Sequence, residues 1–186
     1  MPTNRKKQMA YHEAGHAVIA RMLGVGVPQL TLVSVDADNA AGAITASAAA
    51  LADRNDLFAY VAGIEKDIKV SIAGPQSQNV YRPPDTYENH DEWESDRQTQ
   101  LSLALLIVLL KAGIDIPDAG LQASVNSDQL DEAKRLLARL AEETRALVIA
   151  NWPAITRVAE ALLRLRRQTL DQAAIDALIA TAGALR

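Results

Sequence analysis

The chain has 186 residues, of which 49% are apolar, so it is long enough for one domain with a substantial core. Its net charge of −4 at pH 7 argues against a nucleic-acid-binding protein, because such proteins concentrate a basic excess on one face. Cysteine is absent, which excludes disulfides and thiolate metal sites and leaves His, Asp and Glu to hold any metal.

The basic N-terminal segment and the apolar runs do not fit a secreted or membrane-spanning protein. Arg5, Lys6 and Lys7 are not followed by the apolar segment that a signal peptide requires. The longest apolar run, residues 101–110, is too short to cross a bilayer. We therefore expect a cytoplasmic protein with no membrane span.

The first predicted helix covers residues 8–23 and contains the sequence HEAGH at positions 12–16. His12 and His16 are four residues apart, so they lie one turn apart on the same helical face, where both imidazoles can reach one metal ion. Glu13 lies beside the metal without binding it, and it can take a proton from a metal-bound water. The motif therefore predicts a hydrolytic zinc site.

A chance match to this motif is the competing interpretation, because five-residue patterns recur in unrelated helices. Two features weaken it. Both histidines lie on the apolar stripe of the helix, where an imidazole without a partner would be costly. The chain also has only three histidines, and two of them are in the motif.

A β-hairpin is predicted after this helix. Residues 30–35 and 43–48 alternate in the manner of strands, and the polar segment between them predicts a turn. We expect the edge of the hairpin, including Leu32, Val33 and Ser34, to bind an extended peptide as an added strand.

The rest of the chain is predicted to be helical, apart from two connections. A helix over residues 53–73 is expected to end at Gly74-Pro75. An acidic loop at 82–96 precedes a buried helix over 96–112. Three helices fill the last third: one over 128–151, one after the break at Trp152-Pro153, and a final helix capped by Thr169 and Gln172.

These patterns predict one domain over residues 1–186 with a mainly α (α+β) fold. Residues 1–125 form the half with the motif helix, the hairpin and the buried helix, and residues 126–186 form a C-terminal helical bundle. The composition agrees, because alanine and leucine are abundant and aromatic residues make up only 4%.

Zinc catalysis needs a third protein ligand and an open position for water. Ile19 and Met22 stand where a metzincin has Gly and His, and the hairpin replaces the helix that carries a thermolysin-type glutamate. Asp96 is preferred as third ligand because it begins a buried helix, where the backbone is rigid. The other candidates, all in the acidic loop, are Glu88, His90, Asp91, Glu92 and Glu94.

Several segments of the chain resemble one protein family. Residues 10–18, AYHEAGHAV, resemble the zinc helix of the FtsH-type ATP-dependent metalloproteases. Residues 30–34 and 42–45 resemble that family's hairpin beside the active site, and residues 72–78, IAGPQSQ, stand where the family has a GGRAAEE-like segment. Residues 95–100, SDRQTQ, resemble the start of the helix whose aspartate is the family's third zinc ligand.

The resemblance extends over nearly the whole chain, including the C-terminal helices, and the zinc helix is its strongest part. It implies a zinc peptidase domain. It also implies that His12, His16 and Asp96 bind Zn²⁺ and that Glu13 is the general base.

Four features depart from the family pattern. The chain contains neither the P-loop sequence of an ATPase nor a transmembrane segment. The acidic pair of the GGRAAEE-like segment is replaced by Gln78 and Asn79, and the loop before Asp96 is longer. We predict a zinc-dependent endopeptidase that cleaves flexible or unfolded polypeptides without ATP, with an AAA ATPase in trans or a second copy of the chain as partner. The alternative is a non-proteolytic zinc-binding homologue that acts as a regulatory or protein-interaction module.

Overall fold

A computed structural model describes residues 4–32, 42–82, 94–114 and 125–183 of the chain. Within these ranges the fold is mainly helical with one small antiparallel sheet, which confirms the predicted fold class. The helices are α1 Asn4–Met22, α2 Ala48–Leu51, α3 Leu57–Tyr81, α4 Glu94–Lys111, α5 Ser127–Ala150, α6 Trp152–Arg164 and α7 Gln172–Gly183. The strands are β1 Gln29–Thr31, β2 Gly42–Ile44 and β3 Thr169–Asp171.

The sheet has three strands in the order β2-β1-β3. The predicted hairpin is confirmed in its pairing, because β1 pairs antiparallel with β2. Its second strand is shorter than the predicted 43–48, since β2 ends at Ile44 and Ala48 begins α2. The third strand was not predicted, and it corrects two expectations. β1 lies in the centre of the sheet and has no free edge over residues 29–31. Thr169 lies in β3 rather than capping α7, and Asp171 accepts the hydrogen bond from the Ala174 N–H instead.

Helix α1 is the centre of the larger core and is buried along most of its length. It packs against α3 and α6 at close range because its contact residues are small. A Cβ atom on Gly15 would lie 2.6 Å from the carbonyl oxygen of Ala73, so the α1 and α3 backbones nearly touch. In the last turn of α1, Arg21 forms a two-point ion pair with Asp176 of α7, with N–O distances of 2.7 and 3.1 Å.

Helix α3 runs through Pro75 to Tyr81, so the prediction that it ends at Gly74-Pro75 is wrong. An internal proline costs about 3 kcal/mol, because it lacks the N–H for one helical hydrogen bond and crowds the preceding turn. The helix continues because Ile72, Ala73 and Ser77 are buried on either side of the proline. The burial of this face of α3 stabilises the helix by more than the internal proline destabilises it.

A second, smaller core joins α3, α4 and α5. Ion pairs support it at the surface, where Lys69 of α3 lies 2.7 Å from Glu143 of α5, and Arg139 joins Glu143 to Glu65. These charges hold the Glu143 pKa below its usual value, mainly through the hydrogen bond from Lys69. Helix α4 begins at Glu94, so Asp96 lies in its first turn, close to the predicted start.

Within the described residues, no single helix is long and apolar enough to cross a membrane. Helices α5 and α6 meet that criterion only when they are taken together across their 73° bend.

Candidate metal centre

Three side chains from distant parts of the sequence converge at the junction of α1, α3 and α4. His12 and His16 lie one turn apart on α1, and Asp96 projects from the first turn of α4. The His12 Nε2 atom lies 3.0 Å from His16 Nε2 and 3.4 Å from Asp96 Oδ2, and His16 Nε2 lies 3.8 Å from the same oxygen. This group can hold a metal ion.

The spacing of the three atoms is that of a tetrahedral site. Zinc binds histidine nitrogens and carboxylate oxygens at about 2.0–2.2 Å, so two ligand atoms of a tetrahedron lie about 3.3–3.5 Å apart. The three observed distances, 3.0, 3.4 and 3.8 Å, are centred on this value. A metal would therefore need only small side-chain adjustments to take its place.

The backbone of α3 fixes the orientation of His16. Its Nδ1 atom donates to the carbonyl oxygen of Val70 over 2.7 Å, and a carbonyl can only accept. Nδ1 therefore carries the proton of the neutral ring, and Nε2 presents its lone pair to His12 and Asp96. Such hydrogen bonds from the second ring nitrogen are usual for metal-binding histidines, because they fix both tautomer and ring orientation.

Gly74 makes room for the same ring. A Cβ atom at this position would overlap the His16 imidazole, with Cδ2 only 2.7 Å away. Val70 and Gly74 are one turn apart on α3. Val70 accepts the hydrogen bond from the His16 ring, and the missing side chain of Gly74 lets the ring lie directly against the helix backbone. Neither Val70 nor Gly74 was predicted to belong to the site. Gly74 could be identified in the sequence, but because Pro75 follows it, the pair was interpreted as the end of a helix.

The environment of His16 favours its neutral form. Burial lowers the pKa of His16 below the ordinary value of 6.5, and the neighbouring His12 lowers it further. The charges of Glu13 and Asp96 oppose this effect. A neutral imidazole is the form that binds a metal, so the site suits a cation at neutral pH.

This lowered pKa predicts the pH dependence of metal-free stability. The folded state binds the His16 proton more weakly than the unfolded chain does. The free energy of unfolding is therefore highest above pH 6.5, and it decreases as the pH falls from 6.5 towards the folded-state pKa. Urea unfolding of the metal-free chain between pH 7.5 and 5.0 measures this decline. A His16→Asn variant keeps a donor near Nδ1 but does not titrate, so its decline should be smaller. An equal decline in both proteins would contradict the assignment.

An aromatic stack supports the start of the motif. The Tyr11 ring lies between Tyr81 at the end of α3 and Trp152 at the start of α6, with ring centroids 4.1 and 5.3 Å away. Burial raises the pKa of Tyr11. Because Tyr11 directly precedes His12, the stack connects the turn of α1 that carries His12 and His16 to two other helices. These three rings also were not predicted as a group.

The structure places only some of the other predicted site residues. The Leu32 side chain is 1% exposed, and its N–H donates to the Gln168 carbonyl, so this residue faces the core rather than a bound peptide. Glu94 is the first residue of α4, and only its backbone is described. The remaining candidates lie outside the described residues: Val33, Ser34, Glu88, His90, Asp91 and Glu92.

Comparisons of the sequence with protein-family models and with curated proteins identify no relative of this chain. No protein-family model matches the chain, and no curated protein sequence matches it significantly. The chemistry of the site therefore follows from its own residues. They are two imidazole nitrogens, one carboxylate oxygen, and the buried carboxyl of Glu13, the residue after the first histidine.

Proposed function

We propose that this chain is a zinc-dependent endopeptidase related to the peptidase domain of the FtsH-type metalloproteases. The observation that carries the proposal is the convergence of His12, His16 and Asp96, with Glu13 adjacent to the first ligand. Asp96 is 80 residues from His16 in the sequence, so local helical geometry alone cannot explain the cluster.

The donor set fits zinc in a catalytic rather than a structural site. Two histidines and one carboxylate are a common ligand set of zinc hydrolases, and three protein ligands leave one position for water. Structural zinc sites instead use four protein ligands, mostly cysteine, and this chain has none. The hydrogen bond from His16 to Val70 supplies the outer support that such a ligand needs.

Each residue then has a defined task in peptide hydrolysis. Bound zinc would lower the pKa of its water to about 7 and polarise the carbonyl of the scissile bond. Glu13 accepts a proton from the attacking water and delivers it to the nitrogen of the leaving amine, so that the C–N bond breaks. Asp96 would balance part of the positive charge of a bound ion, and its position in the first turn of α4 keeps it rigid.

The substrate is expected to bind as an added strand on β2. Within the described residues, β2 pairs only with β1, so its other edge can pair with an extended peptide. β2 also packs against α1, the helix that carries the motif. This replaces β1 as the expected peptide-binding strand. Because pairing requires an extended backbone, flexible or unfolded polypeptides are the expected substrates.

Metal removal tests the proposal directly. The purified chain should contain about one zinc per chain and digest unfolded casein, and a chelator should abolish the digestion until zinc is restored. Elemental analysis and a casein digest measure both properties. Bound zinc without cleavage would favour the regulatory or protein-interaction module instead, and absence of any bound metal would overturn the metal centre itself.

A further inference from the structure

A cleft of about 600 Å³ lies between α3, α4 and α5, apart from the metal centre. Ile72, Gln76 and Asn79 line it from α3, and their spacing places them on one face of the helix. Gly74, which contacts His16, is two residues from both Ile72 and Gln76, so it lies on the opposite face. The cleft and the metal centre therefore use different sides of α3.

Side-chain hydrogen bonds fix the walls of this cleft. The Gln76 amide donates to the carbonyl oxygen of Ala141 over 3.0 Å and joins α3 to α5. Gln100 of α4 donates to the hydroxyl of Ser71 over 3.3 Å and joins α4 to α3. The cleft is therefore a formed feature of the three-helix packing, and its volume is in the range of pockets that bind small ligands, about 300–1,000 Å³.

Two arginines line the cleft from different helices. Arg97 projects from α4 and Arg145 from α5. Neither has a hydrogen bond or an ion pair in the part of the chain that the structure describes, whereas Arg21, Arg139 and Arg164 are all paired with carboxylates. Two unpaired guanidinium groups on one cleft are suited to binding a carboxylate, because each can donate two parallel hydrogen bonds.

The cleft also offers acceptors for N–H groups. The Asn79 Oδ1 atom has almost no exposed surface and no hydrogen-bond partner among the described residues. An unpaired buried acceptor is costly, so a rotation of the Asn79 amide that brings this oxygen to an N–H group of a ligand in the cleft would be favourable. Glu142 adds one carboxylate to the lining, and it too is unpaired within the described ranges. A ligand that matches the cleft thus carries one carboxylate and at least one N–H group.

We propose that this cleft binds a short peptide through its free C-terminal carboxylate. Arg97 and Arg145 hold the carboxylate, and Asn79 accepts a hydrogen bond from a backbone N–H of the peptide. The apolar side chains of Ile72 and Pro75 contact its carbon atoms. Inorganic phosphate matches the cleft less well, because it has no N–H and Glu142 repels its second charge. This site does not depend on the proposed peptidase activity.

Calorimetric titration of the full chain with the tripeptide Ala-Ala-Ala tests the proposal. The tripeptide should bind both to the chain as purified and to the chain after metal removal and dialysis. Amidation of its C-terminus should weaken binding about tenfold or more, since it removes the charge-assisted hydrogen bonds. The double variant Arg97→Gln/Arg145→Gln should weaken binding to a similar degree, and Asn79→Leu should weaken it to a smaller degree.

The matched control is Arg166→Gln/Arg167→Gln, which removes the same charge from exposed residues outside the cleft. This control should bind the tripeptide like the unaltered chain. Equal weakening in both double variants would show non-specific attraction and overturn the site. Binding that disappears with the metal would place the peptide at the metal centre, and phosphate binding as tight as that of the tripeptide would overturn the peptide assignment. Circular dichroism verifies that each variant is folded.

Discussion

The Glu13→Gln variant is expected to retain its metal and to lose peptide cleavage. Glutamine has nearly the same size as glutamate and preserves the packing of this buried position, which is only 7% exposed. It cannot accept the proton of the attacking water, however, so the rate should fall by about 10²-fold or more, as is typical when a general base is removed. His12, His16 and Asp96 are unchanged, so zinc content should be equal to that of the unaltered chain. A peptide digest and elemental analysis of the same sample measure the two effects.

The Glu132→Gln variant is the matched control for this experiment. Glu132 is exposed on α5, remote from the three metal ligands in the sequence, and its substitution removes the same charge. It should cleave like the unaltered chain. Cleavage by Glu13→Gln at the unaltered rate would exclude Glu13 as the base, even if the metal centre itself is correct. Loss of zinc together with loss of cleavage would instead show that Glu13 is needed for metal binding and not as the general base.

The Gly74→Ala variant is expected to impair metal binding through a single methyl group. The added Cβ overlaps the His16 ring, which must then turn away and break its hydrogen bond to Val70. Overpacking of this kind costs about 1–3 kcal/mol of folding free energy. The displaced Nε2 atom no longer faces Asp96, so zinc affinity should fall by about tenfold or more, as for loss of an outer-shell partner. Urea unfolding and competition with a zinc-binding dye measure the two quantities.

Gly183→Ala provides the control, because a Cβ atom on this glycine of α7 would have no neighbour within 4 Å among the described residues. Alanine is a better helix former than glycine, so this change should leave stability unaltered or raise it slightly. Zinc affinity should not change. If Gly74→Ala behaves like Gly183→Ala in both measurements, the close contact between α3 and His16 does not control the metal centre.

Much of the candidate site could be predicted because its signals are local. A histidine pair at helical spacing and a glutamate beside it depend only on the geometry of one helix, and α1 has this geometry. Asp96 could be preferred because a buried helix begins there, and its carboxylate lies 3.4 Å from His12. The mainly helical fold and the hairpin also follow from local patterns, since apolar periodicity distinguishes helices from strands.

The features that local patterns could not predict all depend on contacts between distant segments. Thr31 of β1 lies beside Thr169 of β3, 138 residues away. A strand of three residues is too short for its apolar alternation to predict the strand or its pairing partner. Helix α3 passes through Pro75 because its buried face outweighs the local cost of the proline.

The sequence by itself determined which side chains are candidate metal ligands and which one is the candidate base, because these properties belong to side-chain chemistry and to the spacing of one helix. Only the tertiary structure decided how the site is held. The Val70 carbonyl and the bare backbone of Gly74 orient His16, and the packing of α3, α4 and α5 creates a separate cleft lined by Arg97 and Arg145. A backbone carbonyl and a missing Cβ carry no chemical signature in the sequence, so their roles appear only when the helices pack together.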